Sequence, residues 1–459
     1  MNDFGLDRAD LKALNVRRTW RQRRRVCHVP EKGLFFGLRG NVYSCCFNKS
    51  YVLGTYPQQS IQEIWNGALL KQQRKAIKQC DLSLGCQGCH ALIKSRNINA
   101  LPILSYDRFA RRNRGYPAKM DFELYNTCNL ECIMCRGEFS STIRKNREGL
   151  PPIESPYDTA FFDQVEEFIP HLLNSHFLGG EPFLIPQYVD LWERMAALNP
   201  RMSVSVQTNC TILNQRTKDL LERMQFDISV SIDSISPENY AVIRKNGQWD
   251  RVLENLRYFR DYTRRRGTLL TMAFCPMPQN WHELPQVVDF CNEWEMPLMF
   301  TTVESPPECS LSPLPSAKLA EIEHHLRSQF HPETTALQRQ NRQSYQDQIT
   351  QIAAWRVAAA DRELAGLSAP AQNFAEYIAQ IEGLIAHEGN HTALEAKQMA
   401  AAIAAKLQFV LDAAADNGQG DAATAKMIAT APALVIRSVP GLQKEELLAL
   451  FKSFVMPIE

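Results

Sequence analysis

The run Cys128-Asn129-Leu130-Glu131-Cys132-Ile133-Met134-Cys135 sets three cysteines in eight residues at CxxxCxxC spacing. Three thiolates so placed can hold three irons of a [4Fe–4S] cube and leave the fourth iron without a protein ligand. Structural zinc sites close with four ligands, so a zinc knuckle here would need one more ligand from nearby. Ferredoxin-type runs supply four cysteines at other spacings. An open iron is useful only where a second molecule binds it, so the run points to a chemistry before it points to a fold.

The 459 residues allow roughly two to four domains, each able to bury a core. No 18-residue apolar run is present, so no transmembrane helix is expected. Met1-Asn2-Asp3-Phe4 lacks the basic-then-apolar order of a secretory signal. Thirteen cysteines without an export signal suggest metal ligation in a reducing compartment, and the cytoplasm is the expected location. The net charge of +1 hides an asymmetry. Met1 to Met120 holds 22 Lys plus Arg against 7 Asp plus Glu, about +15, and the remainder carries about −14. Its basic runs are Arg17, Arg18, Arg21, Arg23, Arg24 and Arg25, then Arg108, Arg111, Arg112 and Arg114. Such runs are usually solvated; the alternative is a docking face for an acidic peptide, a phosphorylated or nucleotide-linked metabolite, or nucleic acid. Only Trp20 is interleaved with the first run, so nucleic acid is the minority reading.

From about Lys119 short strand-like runs alternate with helical ones, the pattern of βα units and a parallel sheet. Strands are predicted at Met120–Leu124, His176–Leu178, Ser203–Val206, Asp227–Asp233, Leu269–Cys275 and Leu298–Val303, with a helix over Ala160–Leu173. Six such units are too few for a closed eight-stranded barrel.

These features together resemble the radical S-adenosylmethionine (SAM) superfamily, whose fold is a partial (β/α)6 barrel. The resemblance implies that Cys128, Cys132 and Cys135 hold a [4Fe–4S] cluster whose open iron takes the amino and carboxylate groups of SAM. The reduced cluster then splits SAM to methionine and a 5′-deoxyadenosyl radical. Gly179, Gly180, Glu181 and Pro182 match the motif that binds the SAM amino group at the end of the second strand. Asn209 stands where the family has Thr-Asn-Gly, with Cys210 in place of the glycine. Ser231 and Asp233 resemble the family's Ser-Leu-Asp, and Arg244 matches an arginine that pairs with the SAM carboxylate. Met134 replaces the usual aromatic residue before the third cysteine, a position that contacts adenine, and a flexible thioether can still pack there.

Ahead of this segment, Cys27, Gly40 and Cys45 make a C-x12-G-x4-C run, with Gly-Asn-Val-Tyr-Ser leading hairpin-like into the second cysteine. Cys86 and Cys89 supply a CxxC, and a helix is expected over Ser60–Asn66. The layout resembles the twitch or SPASM domain, which holds auxiliary [4Fe–4S] clusters in radical SAM enzymes, here ahead of the barrel where it usually follows. The resemblance assigns one auxiliary cluster to Cys27, Cys45, Cys86 and Cys89, with Cys46 and Cys80 spare and either able to substitute, Cys46 for Cys45 or Cys80 for Cys86. A four-cysteine zinc ribbon is the alternative from the residues alone, and His90 is read as incidental.

The domains expected are 1–115, an auxiliary-cluster domain; 116–315, the partial barrel; and 316–459, a helical region. In the last, Phe374, Tyr377, Ile378, Ile381, Leu384 and Ile385 mark an apolar face ended by Gly389-Asn390. Thr392–Glu395 is a capping-box pattern opening a helix that carries Ile403, Leu407, Val410 and Leu411.

By resemblance, the expected activity is hydrogen abstraction from a peptide with oxidative modification. Oxidation of a small metabolite such as an aminosugar or nucleotide-linked compound comes second, and a zinc-stabilised nucleic-acid module is the rival class. A one-electron reductant of flavodoxin or ferredoxin type is implied, and no membrane partner. Cys275, ending the fifth strand, is the candidate catalytic hydrogen donor, though a small buried hydrophobe is its commoner role.

Overall fold

The computed structural model describes residues 4–16, 18–94, 98, 101–109, 115–329, 333–364, 374–388 and 393–415. Met1–Asp3, Arg17, Arg111, Arg112, Arg114, Gly389, Asn390 and Thr392 lie outside the described residues. The chain divides into two compact units. The first comprises Met1–Asn129, Ile153–Ser231 and Gln248–Thr271; the second comprises Leu130–Pro152, Ile232–Gly247 and Met272–Glu459.

The first unit holds β1 (Gly33–Phe36), β2 (Asn41–Tyr43), β3 (Gly54–Thr55), β4 (Lys119–Phe122), β5 (Asn174–Phe177), β6 (Ser203–Thr208) and β7 (Gln225–Ser231). They hydrogen-bond in the order β3-β2-β1-β4-β5-β6-β7. β4 to β7 run parallel, as expected for βα units. The unexpected pairing is β1 with β4, also parallel, with Gly33 opposite Lys119 and Phe36 opposite Phe122. The cysteine-rich segment therefore extends the sheet. All four β1 residues are buried, so its apolar run lacks the alternation that marks a half-buried strand.

Register builds the core. Phe36, Phe122 and Phe177 stand side by side on β1, β4 and β5, with ring centroids 5.5 and 5.0 Å apart. Helices cover that face: Phe161 of Thr159–Glu166 lies 5.2 Å from Phe36, and Trp192 of Pro186–Leu198 lies 5.2 Å from Phe177. Burying each such ring contributes about 1.5–3 kcal/mol. Because strand side chains alternate, Asp121, His176, Ser205 and Asp227 form one row on the face away from these helices. The helix expected to Leu173 stops at Glu166. Pro170, which lacks an N–H, sits in a short 3-10 turn over Ile169–His171. The hairpin expected after Gly40 is present, β1 pairing antiparallel with β2. Gly40 has φ +86, and a Cβ there would lie 2.2 Å from the Tyr56 carbonyl oxygen.

β8 (Leu270–Phe274) begins in the first unit and ends in the second, where it pairs in parallel with β9 (Leu298–Phe300). All six strands of the expected barrel segment are thus present, though β9 is shorter than predicted. Asn341 is buried within the helix Ala336–Leu364; its amide accepts from Leu298 N at 2.8 Å and donates to Met296 O at 3.0 Å. The helices Phe374–Glu388 and Ala393–Ala415 pack together and bury Tyr377, Ile381 and Ile385 on one, and Ile403, Leu407, Val410 and Leu411 on the other. Among the described residues, no helix is long and apolar enough to cross a membrane.

Candidate cluster and cofactor sites

Four thiols gather in one buried region of the first unit. Cys27 lies between two apolar clusters: Cys86 and Cys89 pack on the first, and Cys45 packs on the second, beside Tyr106. Burial drives the Cys27 thiol well above its ordinary pKa, and the charges of Cys45, Cys86 and Cys89 add to that. Burial likewise pushes Cys45 and Cys86 up to about 12 and Cys89 up to about 11. Such a set ionises only around a compensating cation, as the iron core of a cluster is. The Val29 amide donates to Cys27 Sγ at 3.4 Å and Asn48 Nδ2 donates to Cys86 Sγ at 3.4 Å, contacts of the kind that tune a cluster's potential. Among the described residues no three His, Cys, Asp or Glu groups converge on a single metal-ion position.

The two spare cysteines differ. Burial raises the Cys46 thiol, with the Asp121 and Cys45 charges adding to it, whereas burial alone raises Cys80. His90 packs edge-on against Phe4, ring centroids 5.4 Å apart. The helix after β3 runs Ile61–Trp65 under a Ser60–Glu63 capping box. Beyond Cys45 the loop crosses the row-bearing side of the sheet, where Lys49 Nζ meets Glu123 at 2.8 Å. Asp121 there is held by Lys119 and accepts from Tyr106 Oη at 3.2 Å.

At the ends of β4, β5 and β6 the first unit assembles the matched residues around Cys128. Gly179 and Gly180 have φ +81 and +52, and a Cβ on Gly180 would lie 2.1 Å from Thr127 O. These glycines let the loop after β5 lie against the loop that carries Cys128. Pro182 is buried at the start of a short turn. The fully buried Glu181 carboxylate accepts from Thr208 Oγ1 at 2.7 Å, Asn209 N at 2.7 Å and Phe183 N at 3.1 Å. Asn209 Nδ2 lies 3.1 Å from Asn129 Oδ1 and 3.9 Å from Cys128 Sγ, while its Oδ1 accepts from Thr211 N and Oγ1. Cys210 adopts φ +63, the conformation glycine takes most readily, and Asn255 Nδ2 donates to its carbonyl at 2.9 Å. Ser231 accepts from Gln207 Nε2 at 3.2 Å.

The second unit holds Cys132, Met134, Cys135, Asp233, Arg244 and Cys275. The cysteine loop runs beside the 243–245 segment, with Glu131 N donating to Lys245 O and Ile133 N to Ile243 O. Arg147 donates to the carbonyls of Cys132 and Cys135. Arg244, nearly buried, reaches Cys132 Sγ at 3.8 Å and Asp233 at 2.5 Å, and its Nε has no partner among the described residues. Burial opposes its charge; Asp233 and then Cys132 outweigh that and raise its pKa. Asp233 accepts from Cys275 N at 2.8 Å, and Asn280 Nδ2 ties the carbonyls of Asp233 and Cys275 together. The side chains of Met134 and Cys275 pack on one cluster of Ile243, Met277, Val303 and Cys309. Burial raises the Cys275 thiol well above its ordinary pKa.

Sequence reasoning missed Asn129, Arg147, Thr211 and Asn280. Asn129 stands beside Cys128 in the motif, the one signal available; the other three act through tertiary contacts.

The radical SAM superfamily profile matches residues 122–291, and that of an iron–sulfur cluster-binding domain (SPASM) matches residues 27–90. GTP 3',8-cyclase of Streptomyces coelicolor is 33% identical over 140 residues, 29% of this chain and 38% of that one. GTP 3',8-cyclase of Pseudomonas fluorescens is 24% identical over 192 residues, 40% of this chain and 54% of that one. The chain thus spans less than two thirds of the length of these curated relatives. Among solved structures, SuiB of Streptococcus suis bound to precursor peptide SuiA covers 52% of this chain and 51% of its own, at 14% identity and TM-score 0.34. Native anSMEcpe with bound AdoMet covers 46% of this chain and 59% of its own, at 18% identity and TM-score 0.36.

Proposed function

The chain is a member of the radical SAM superfamily with an auxiliary iron–sulfur domain ahead of its radical SAM domain, and we propose that it carries out a net two-electron oxidation of a small polar substrate. When bound, SAM and its cluster supply a carbon radical that removes hydrogen from an unactivated C–H bond. The reading assigns that cluster to Cys128, Cys132 and Cys135, and the auxiliary cluster to Cys27, Cys45, Cys86 and Cys89.

The chain's own residues do the holding. Glu181 fastens the end of β6 to the loop after β5, Asn209 aims an amide at Cys128, and Arg147 fixes the carbonyls of Cys132 and Cys135. Arg244, its Nε unpartnered among the described residues, suits the SAM carboxylate, and Asp233 would share it. Met134 offers a thioether to the adenine. Ser231 and the Gly179–Pro182 loop are assigned to SAM by the same reading.

The observation that carries the oxidative outcome is the place of the auxiliary thiols. The loop that follows Cys45, one of the four, lies on the side of β4 that bears Asp121, where Lys49 meets Glu123. A site that accepts an electron there suits a substrate that ends oxidised. The Cys275 thiol packs on the Ile243, Met277, Val303 and Cys309 cluster and also meets the Asp233 carboxylate. The row Asp121, His176, Ser205 and Asp227 supports a small polar metabolite, as does the name of the GTP 3',8-cyclase relatives. The peptide reading placed first from the sequence rests on family resemblance alone. Thirteen cysteines, none of them in a disulfide among the described residues, suit the reducing cytoplasm.

Anaerobic reconstitution with iron and sulfide tests this reading. The wild type should load ~8 irons per chain and absorb broadly near 400 nm, as two four-iron clusters do. Cys86→Ala with Cys89→Ala should keep ~4 irons and still cleave SAM in the absence of substrate. Zinc in place of iron at the N-terminal site would contradict the reading.

A further inference from the structure

Asn48, almost fully buried, touches both halves of the auxiliary thiol set. Its backbone N–H donates to the Cys45 carbonyl at 3.2 Å, closing the turn that begins at that cysteine. Its side chain reaches the other half: Nδ2 donates to Leu84 O at 2.9 Å and to Cys86 Sγ at 3.4 Å. Its Oδ1 accepts from Tyr51 N at 3.2 Å. These partners fix which way the amide points. A backbone carbonyl can only accept and a backbone N–H can only donate, so turning the amide over would break both bonds inside a buried site.

The facing loop is shaped around this amide. Gly85, between Leu84 and Cys86, has φ +75, and a Cβ there would lie 2.0 Å from Asn48 Oδ1. Gln73, fully buried on the helix Ala68–Lys78, donates from Nε2 to the same Leu84 carbonyl at 3.3 Å. Both amides hold the loop. Asn48 also meets the sulfur.

We propose that Asn48 is a positioning residue of the auxiliary site and raises that site's reduction potential through its bond to the Cys86 sulfur. The inference rests on the reading that Cys27, Cys45, Cys86 and Cys89 hold a four-iron cluster that takes up one electron. An added electron increases the negative charge on the cluster's sulfurs, and an N–H aimed at a sulfur stabilises that reduced form over the oxidised one. Burial strengthens the bond, because no water competes for the donor. The amide thus favours the direction of electron transfer that an oxidised substrate requires. It also ties Cys45 and Cys86, which are distant in sequence, into one set.

The test is an anaerobic redox titration of the full, cluster-loaded chain, followed by electron paramagnetic resonance. The auxiliary signal is the one that persists when Cys128→Ala, Cys132→Ala and Cys135→Ala are combined. Asn48→Leu keeps the shape and removes the donor. At a fixed potential it should shift the ratio of oxidised to reduced auxiliary cluster at least tenfold toward oxidised, about 59 mV for one electron. Asn48→Asp should shift it further the same way, since it also sets a negative charge beside the sulfur. Gly85→Ala keeps the amide but displaces it, and should shift the ratio at least threefold. Gln73→Leu loosens the same loop without removing a donor to sulfur, and should shift it less than twofold. Iron content is measured on every sample. A loaded Asn48→Leu with the wild-type potential overturns the inference, as does an equal shift in Gln73→Leu. Where the Asn48 variants lose their auxiliary irons, Gly85→Ala decides, and a wild-type potential there overturns the inference. Zinc in place of iron at the N-terminal site of the wild type would instead remove the reading beneath it.

Discussion

Glu181 has its carboxylate filled by three donors, so its first duty is to hold the end of β6 in place. In Glu181→Gln one oxygen becomes an NH2 facing donors, and hydrogen bonds to a charged acceptor contribute about 1.5–3 kcal/mol each. The variant should lose about 2–3 kcal/mol of stability, read as an earlier urea midpoint. An unchanged midpoint would mean the carboxylate is held by less than these contacts. His176 makes a second case. Burial, with Lys119 adding, lowers its pKa from 6.5 to about 4. Its folded form therefore resists a proton that the unfolded chain accepts. The resulting stability is complete above pH 6.5 and is lost as pH falls toward 4, by about 2–3 kcal/mol at pH 4.5. Unfolding free energies at pH 7 and 4.5 should show His176→Gln with a shallower loss than the wild type; parallel curves would remove the assignment. The matched motifs made Glu181 and Asn209 findable from sequence, but not that Thr208 and Asn209, at the end of another strand, would fill the Glu181 carboxylate. Arg147 gave no signal at all, because its bonds go to backbone carbonyls twelve and fifteen residues away.

At the scale of elements, the loop after β5 is the most constrained. Gly180→Ala would place a methyl 2.1 Å from the backbone oxygen of Thr127, and that backbone cannot rotate away. The left-handed conformation alone costs about 1–2 kcal/mol for a residue with a Cβ. Iron loading should drop by ~4 per chain, with the auxiliary site still filled; full loading would show that the loop yields. β4 to β7 were legible because each sets apolar residues toward the helices and polar ones such as Asp121, His176, Ser205 and Asp227 the other way. β1 was not legible as a partner of β4: Gly33-Leu34-Phe35-Phe36 is apolar on both sides, and nothing local reports a pairing across more than eighty residues. The helix ending before Pro170 was overrun for a simpler reason, since apolar residues continue at helical spacing beyond the break. Cys210 keeps the backbone shape of the glycine it replaces, so the departure at Thr-Asn-Cys is one of side chain and not of loop.

At the scale of the whole molecule, the sequence separates two thiol sets, residues 27–89 and 128–135, with the radical SAM and auxiliary profiles falling on one each. Contiguity made the second set plain. The first was assembled from three separated stretches, and its four members were distinguishable from Cys46 and Cys80 only by resemblance. Two sets in separate regions should load independently. The most direct measurement is therefore on Cys128→Ala, Cys132→Ala and Cys135→Ala combined, reconstituted anaerobically and given SAM and dithionite. The account predicts ~4 irons retained per chain and no 5′-deoxyadenosine. Formation of 5′-deoxyadenosine by the triple variant would contradict it.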